Sequence, residues 1–159
     1  MYKIINVNKI TEVVEKLKKS GKKIVLAGGC FDILHIGHIL FLKAAKKEGD
    51  ILFLLLESDE NIKEKKGSER PINFQKNRVI VLSAIEYVDY IVLLNGVTKK
   101  EEYDRLIVKI KPDTIALTQG DPQIKIRALQ CKMVGAKLKL VIKRVENKST
   151  SALINGIKN

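Results

Sequence analysis

Residues 23–42 constrain the fold more than any other stretch, because their hydrophobic pattern changes period within a single turn. Residues 24–27 form a short apolar run of the kind found in a buried parallel strand. Gly28 and Gly29 end this run and permit close approach of the backbone to a ligand. From Ile36 onward the apolar residues follow a helical period. The stretch therefore predicts a strand, a glycine turn and a helix.

Two histidines, the only ones in the chain, fall at the start of this helix. His35 and His38 flank Gly37, where free backbone N–H groups and the helix dipole favour a bound anion. One alternative is that the imidazoles only make local hydrogen bonds. A second alternative is a metal site, for which Asp32 is the one nearby third ligand, so structural zinc is not favoured. The paired histidines after a Gly-Gly-x-Phe-Asp turn favour an anion site.

The rest of the chain repeats the alternation of strand and helix. Helices are predicted at about 8–20, 36–47, 75–85, 101–110, 123–134 and 150–157, and strands at 24–27, 51–56, 90–94, 114–117 and 138–142. Five strands alternating with helices predict a Rossmann-like α/β fold, a doubly wound parallel five-stranded sheet in one domain over residues 1–159. Ligands of such sheets bind beyond the carboxyl ends of the strands.

Residues 57–75 carry several basic side chains, and two interpretations of them stay open. Most lysine clusters are solvated surface loops. This predicted loop follows the second strand, however, and therefore opens at the same sheet edge as the two histidines. There Lys63 and Lys66 can reach a triphosphate as mobile point charges, and Arg70 can bind phosphate through two parallel hydrogen bonds.

Composition narrows the class of protein. With 45% hydrophobic and 30% charged residues in 159, the chain is globular. A net charge of +12 raises nucleic acid as a partner, but the basic residues are dispersed and aromatic residues are only 5%, so a nucleotide substrate is favoured. Cys30 and Cys131 lack metal-type spacing, which predicts a reducing, cytoplasmic location. The sequence shows no apolar run of the kind that would predict export or a membrane span.

The residues around the histidines resemble a family signature. The HxGH nucleotidylyltransferases, which include cytidylyltransferases, adenylyltransferases and class I aminoacyl-tRNA synthetases, share a motif similar to Gly29-x-Phe31-Asp32-x-Leu34-His35-x-Gly37-His38. The resemblance implies that the two histidines hold the phosphates of a nucleoside triphosphate and stabilise charge in the transition state. Nucleotidyl transfer depends mainly on such positioning and electrostatic stabilisation.

Further matches cover nearly the whole chain and resemble one branch, the adenylyltransferases that activate heptose 1-phosphate for ADP-heptose synthesis. The matches are 57–59, Lys63, Lys66-Gly67, Arg70-Pro71-x-Asn73, Arg78, 81–89, 110–113, Gly120-Asp121, Gly135 and 149–154. The branch usually carries Asn in place of Gly28 and of Glu57, and Gly-Gly-Asp in place of Gln119-Gly120-Asp121. These departures lie around the acceptor and nucleotide pockets, so the identity of the sugar stays open.

Other branches and one other class of protein remain alternatives. Glycerol-3-phosphate cytidylyltransferases carry arginine in place of Glu86 and threonine in place of Val145, so cytosine recognition is not favoured although Arg144 is kept. Archaeal FAD synthetases share the HxGH turn. A non-catalytic nucleotide- or RNA-binding module would suit the basic charge, but a protein that only binds does not need both histidines.

The resemblance implies transfer of NMP from an NTP to a phosphorylated acceptor such as heptose 1-phosphate, and it favours ATP because the adenylyltransferase branch fits best. The resemblance also implies that pyrophosphate is released, that Mg²⁺ accompanies the nucleotide and that the protein is a homodimer. The implied catalytic residues are His35, His38 and Lys66. The implied nucleotide contacts are Gly29, Cys30, Phe31, Gly37, Arg144, Ser149 and Thr150. The implied substrate contacts are Asp32, Lys63, Arg70 and Asp121, and Asp32 or Asp121 can also touch the metal or its waters.

Overall fold

The computed structural model describes residues 3–143. Its strands are β1 (Ile4–Ile5), β2 (Ile24–Gly29), β3 (Ile51–Glu57), β4 (Tyr90–Leu94), β5 (Thr114–Thr118) and β6 (Lys137–Ile142). Its α-helices are α1 (Ile10–Lys19), α2 (Ile36–Lys46), α3 (Asp59–Lys66), α4 (Gln75–Ser83), α5 (Lys100–Ile110) and α6 (Ile124–Val134). A short 3-10 helix, Val7–Lys9, precedes α1.

The strands form one sheet in the order β1-β4-β3-β2-β5-β6, and every described pair is parallel. From β2 the chain moves outward through β3 to β4, and it then returns to the other side of β2 with β5 and β6. The connections therefore diverge at the carboxyl end of β2. In open parallel sheets this is the position at which a crevice forms and ligands bind.

Two hydrophobic layers cover the faces of the sheet. Residues of β3 alternate between them, so that Phe53 and Leu55 pack with α1, α5 and α6, whereas Leu54 and Leu56 pack with α2 and α4. All of these strand residues are buried. Burial on both faces explains why the central strands are continuous apolar runs rather than alternating ones.

The predicted Rossmann-like α/β fold is confirmed, but within residues 3–143 the sheet has six strands instead of the predicted five. The additional strand is β1, which pairs through Ile4 and Ile5 with Ile91 and Val92 of β4. Two residues are too few to show a strand period. The prediction missed β1 for this reason.

The predicted loop at 57–75 is wrong in its first half, because residues 59–66 form α3. The side chain of Ser58 caps this helix by accepting a hydrogen bond of 3.1 Å from the Asn61 N–H. Acidic residues lie in the first turn and lysines in the last, which suits the helix dipole. Ile62 is the one buried apolar residue of α3, so the helix has almost no hydrophobic period to detect.

Within residues 3–143, no helix combines the length and the apolar character that a bilayer crossing requires. The predicted helix at 150–157 lies outside the described residues, as do Arg144, Ser149 and Thr150.

Candidate active site

A cleft of about 290 Å³ opens at the carboxyl end of β2. Its floor consists of the ends of β2, β3 and β5, and residues from α2, α3 and the start of α6 form its walls. The residues lining the cleft are 26–31, His38, Leu55, Glu57, Lys65, Lys66, 115–117, 121–123 and Arg127. The cleft therefore lies where the connections of the sheet diverge.

The histidines adopt a stacked arrangement at the start of α2. His35 is the N-cap residue, and its carbonyl oxygen accepts a hydrogen bond of 2.9 Å from the His38 N–H. The two imidazole rings lie 3.9 Å apart between centroids, with 29° between their planes. His38 faces the cleft, and its buried Nδ1 has no hydrogen bond among the described residues. The His38 imidazole therefore retains hydrogen-bonding capacity that no described residue uses.

His38 is neutral at physiological pH. Burial lowers its pKa from 6.5 to about 4, and the positive charges of His35 and Lys66 act in the same direction. A neutral imidazole carries one N–H donor and one acceptor nitrogen. His38 can therefore bind an anion through a hydrogen bond, but it does not carry a fixed positive charge.

Gly29 makes room for the aromatic ring that supports His38. A Cβ placed on Gly29 would lie 3.0 Å from the ring of Phe31. That ring is tilted against His38 with 5.1 Å between centroids. Phe31 has a φ of +46°, in the left-handed region that aromatic residues seldom occupy. The turn after β2 thus adopts an uncommon backbone conformation next to the imidazole, as is frequent at functional sites.

Asp32 and Arg70 form a buried pair beside this turn. The Asp32 side chain is 0% exposed, and its Oδ2 accepts a hydrogen bond of 2.7 Å from Arg70 Nε. The N–H groups of Ile72 and Asn73 donate to the same carboxylate. Burial alone raises the pKa of Asp32, but these hydrogen bonds outweigh burial and lower it. The carboxylate therefore positions Arg70, and the predicted contact of Asp32 with a substrate or a metal remains a prediction.

The Nη2 atom of Arg70 is buried and has no hydrogen bond among residues 3–143. Arg70 and Asp32 do not line the cleft as it stands in this structure. The predicted phosphate contact of Arg70 therefore remains a prediction, supported by one free donor in a side chain that is 10% exposed.

Lys65 and Lys66 of α3 lie in the wall of the cleft. The sequence singled out Lys66 together with Lys63, but Lys63 is not among the residues that line the cleft. Lys65 Nζ lies 3.2 Å from Oε1 of Glu57. The role of Lys65 was missed because adjacent lysines in a predicted loop cannot be told apart, whereas a helix gives each a definite direction.

Glu57, the last residue of β3, was noticed in the sequence only through the comparison with the heptose branch, as part of the matching segment 57–59 and as a position where the branch usually carries Asn. Its Oε2 accepts hydrogen bonds from Asn61 Nδ2 at 3.0 Å and from the Tyr103 hydroxyl at 2.7 Å. Burial raises the pKa of Tyr103, and the bond to Glu57 raises it further. The useful signal was a charged residue directly after a buried strand, because such a residue lies at the ligand-binding edge of a parallel sheet.

Residues at the start of α6 and just before it also line the cleft. Asp121 Oδ1 accepts a hydrogen bond of 2.7 Å from the Gln123 N–H. Arg127 donates to Gln130 at 2.7 Å and to Gln123 at 3.0 Å, and burial lowers the pKa of its guanidinium. Of these residues the sequence predicted only Asp121. Arg127 gave no signal, because it is one of several basic residues on a helix whose sequence does not separate a polar face from an apolar one.

The structure thus brings some of the predicted residues together. Those that line one cleft are Gly29, Cys30, Phe31, His38, Lys66 and Asp121. His35 stacks on His38, and Gly37 lies in the first turn of α2.

Comparison with known proteins identifies the family. Residues 26–155 match the family described as cytidylyltransferase-like. The chain belongs to this family. The bifunctional protein HldE of Campylobacter fetus is 40% identical over 159 residues, covering 98% of this chain and 31% of that protein. HldE of Helicobacter hepaticus is 42% identical over 158 residues, covering 98% and 30%. The chain spans less than a third of the length of these curated relatives.

Solved structures agree with the fold. The lipopolysaccharide core biosynthesis protein of Thermoplasma volcanium has a TM-score of 0.59 at 29% identity, covering 81% of this chain and 100% of that one. The pantoate-beta-alanine ligase of Francisella tularensis has a TM-score of 0.70 at 16% identity, covering 98% and 76%, and shows the fold alone. The expectation of a cytidylyltransferase-like chain that is similar to HldE is confirmed.

Proposed function

We propose that this chain transfers the adenylyl group of ATP to a sugar 1-phosphate and releases pyrophosphate. One observation carries the proposal: His35 and His38 stack on each other at the start of α2, and His38 lines a cleft that Lys65 and Lys66 also line. The similarity to HldE supports heptose 1-phosphate as the acceptor. Residues 1–159 are proposed to act as one nucleotidylyltransferase domain.

In the proposed reaction an oxygen of the acceptor's phosphate attacks the α-phosphorus of ATP. A new P–O bond forms, the bond between the α-phosphorus and the bridging oxygen breaks, and pyrophosphate leaves with the electron pair. His38 donates a hydrogen bond to the reacting phosphate, and the N–H groups at the start of α2 add to it. Lys65 and Lys66 balance the charge that shifts toward pyrophosphate.

Mg²⁺ fits this cleft as a companion of the nucleotide. Residues 3–143 contain no group of three or more His, Cys, Asp or Glu side chains able to hold a metal ion by themselves. Mg²⁺ that accompanies a triphosphate needs only one or two protein carboxylates, and Asp121 lines the cleft. When bound, the ion would polarise the phosphate oxygens. Asp121 is proposed to orient waters of the ion.

The remaining contacts follow the family resemblance. Close backbone approach at Gly29 and Gly37 would admit the nucleotide next to Cys30 and Phe31. The residues Arg144, Ser149 and Thr150 are proposed to bind its phosphates and ribose. Lys63 and the free Nη2 donor of Arg70 are proposed to reach the acceptor when the segment between α3 and α4 closes on it.

A homodimer in the cytoplasm is part of the proposal. Four large apolar side chains of α4 and the segment before it are at least 50% exposed, and they are Ile72, Phe74, Ile80 and Val81. Exposed apolar surface of this kind favours association between subunits. Two free cysteines, Cys30 and Cys131, suit a reducing compartment. Light scattering of the wild type and of Ile80→Glu tests the assembly, because a monomeric wild type would contradict it.

The decisive experiment measures pyrophosphate release with each NTP against heptose 1-phosphate, other sugar phosphates, glycerol 3-phosphate and FMN. Activity with ATP and a sugar 1-phosphate is expected. His38→Ala should keep the melting temperature and lose roughly 10²- to 10³-fold in kcat. Preference for CTP with glycerol 3-phosphate, or for FMN, would move the chain to another branch. Nucleotide binding without turnover in any combination would indicate a binding module.

A further inference from the structure

Gly28 and Glu57 both line the cleft where β2 and β3 end, on one face of the sheet. Gly28 pairs with Leu55 in the neighbouring strand, so the two residues share a face with Glu57, which lies two positions beyond Leu55. A Cβ on Gly28 would lie 3.3 Å from Leu55 Cβ, tighter than ordinary van der Waals contact. Because Gly28 has no side chain, the cleft reaches down to the backbone of β2 beside the Glu57 carboxylate.

The Glu57 carboxylate is fixed in place but not saturated. The residue is 6% exposed, with Asn61 and Tyr103 donating to Oε2 and Lys65 lying 3.2 Å from Oε1. A carboxylate only accepts hydrogen bonds, and its two oxygens together offer about four acceptor positions. Three donors therefore leave room for a donor on a ligand. The geometry is that of a preorganised acceptor group at the end of a partly apolar cleft.

The charges around this end of the cleft indicate what kind of ligand fits. Among residues 3–143, three cationic side chains line the cleft, Lys65, Lys66 and Arg127, and they outnumber the carboxylates of Glu57 and Asp121. Lys65 already lies within ion-pair distance of Glu57. A ligand ammonium would compete with this lysine and approach a net positive surface. A neutral hydroxyl meets neither obstacle and donates the hydrogen bond that the carboxylate accepts.

We propose that Gly28 and Glu57 form the subsite for the hydroxyl groups of the acceptor, and that Glu57 determines which phosphorylated polyol is used. This inference rests on the proposed function, since it assumes that the cleft holds an acceptor as well as a nucleotide. Glu57 accepts hydrogen bonds from one or two sugar hydroxyls, and Gly28 leaves the space in which the carbon bearing them lies. Tyr103 and Asn61 act as positioning residues for the carboxylate.

The first test is a kinetic comparison of variants on the best sugar phosphate of the panel. Glu57→Gln keeps the shape of the side chain and should lower kcat/KM for the sugar phosphate roughly 10- to 100-fold, with KM for ATP changed less than about twofold. Tyr103→Phe should act in the same direction with a smaller effect. Glu60→Gln, at an exposed position of α3, is the matched control and should match the wild type.

The second test uses acceptors that each lack one hydroxyl. With one deoxy analogue, kcat/KM of the wild type should fall by a similar factor. With the same analogue, kcat/KM of Glu57→Gln should fall little below its value on the parent sugar, because the variant already lacks that hydrogen bond. If Glu57→Gln changes KM for ATP instead, or if its loss adds fully to that of every analogue, the subsite is wrong. If Glu57→Gln does not fold, the analogues are compared on the wild type and Tyr103→Phe instead. A loss in kcat/KM below threefold on every deoxy analogue would then overturn the subsite.

Calorimetric titration separates this inference from the proposed function. Sugar phosphates are titrated into the full chain with a nonhydrolysable ATP analogue and Mg²⁺, and Glu57→Gln should weaken binding at least about tenfold. No pyrophosphate release by the wild type with any pair of substrates would overturn the proposed function, even where this binding difference is seen. Equal binding of the sugar phosphate by wild type and Glu57→Gln would overturn the subsite, even where turnover is seen.

Discussion

Arg78 Nη1 donates a hydrogen bond of 2.6 Å to the carbonyl oxygen of Cys30, the residue that directly follows β2. The same guanidinium donates to the carbonyl oxygens of Glu57 and Asn73, both at 2.9 Å. It also pairs with the carboxylate of Asp59 at 2.7 Å. Arg78 is only 2% exposed. A single buried side chain of α4 thus holds together the ends of β2 and β3 that border the cleft.

Arg78→Lys should therefore destabilise the protein although it preserves the charge. A lysine ammonium is a point charge on a flexible stem and cannot reproduce the planar set of donors, so several buried acceptors lose their partners. We expect the free energy of unfolding to fall by about 2–4 kcal/mol in urea titrations. Arg105→Lys, on an exposed position of α5, is the matched control and should change it by less than about 0.5 kcal/mol. Equal midpoints for the two variants would contradict this role of Arg78.

Gly29→Ala should impair activity more than stability. The added Cβ would lie 3.0 Å from the Phe31 ring, which would have to shift away from its position against His38. A displacement of about 1 Å in a reacting group can cost roughly 10²-fold in rate, so we expect kcat/KM to fall at least tenfold.

Gly49→Ala is the contrasting variant. Its Cβ would lie 2.8 Å from Val25 Cγ2 and 2.9 Å from the Lys23 carbonyl oxygen, at the opposite edge of the sheet from the cleft. It should lower the melting temperature and leave kcat/KM of the folded protein unchanged. Similar activity losses in the Gly29 and Gly49 variants would mean that neither effect is local.

Base preference is expected to favour ATP. Val145 stands where the cytidylyltransferase relatives carry threonine, and a valine side chain offers no hydroxyl to a base edge. We expect kcat/KM for ATP to exceed that for CTP at least tenfold, a difference of about 1.4 kcal/mol that one hydrogen bond can supply. Val145→Thr should lower the ratio of kcat/KM for ATP to kcat/KM for CTP, measured in competition assays with both nucleotides. A wild-type preference for CTP would refute the expectation.

The central strands could be predicted from sequence because burial on both faces makes them continuous apolar runs, as in β4, whose bounds match the prediction. The histidine turn could be predicted because its residues are adjacent in the chain. Tyr103, Arg127 and Glu57 could not be assembled in advance, because they come from three elements and meet only through the packing of α5 and α6. The partner of Asp32 was missed for the same reason: Arg70 lies 38 positions away.

The titration of His38 tests the electrostatics of the site directly. Its pKa, lowered by burial and by His35 and Lys66 to about 4, lies below the value of 6.5 for an unperturbed histidine. Between pH 6.5 and about pH 4 the unfolded chain binds more protons at this position than the folded chain does. The free energy of unfolding therefore decreases as the pH falls through this window. We expect a loss on the order of 1–3 kcal/mol from His38 between pH 7 and pH 4. In urea titrations at pH 7 and pH 4, the free energy of unfolding of His38→Gln should fall correspondingly less than that of the wild type.

NMR provides a second measurement of the same group. With only two histidines in the chain, NMR can follow each imidazole once His35→Asn has assigned the signals. ATP should raise the pKa of His38, because a nearby phosphate favours the imidazolium. A His38 signal that titrates near 6.5 in the free protein, or one that ATP leaves unchanged, would contradict a neutral, phosphate-binding His38.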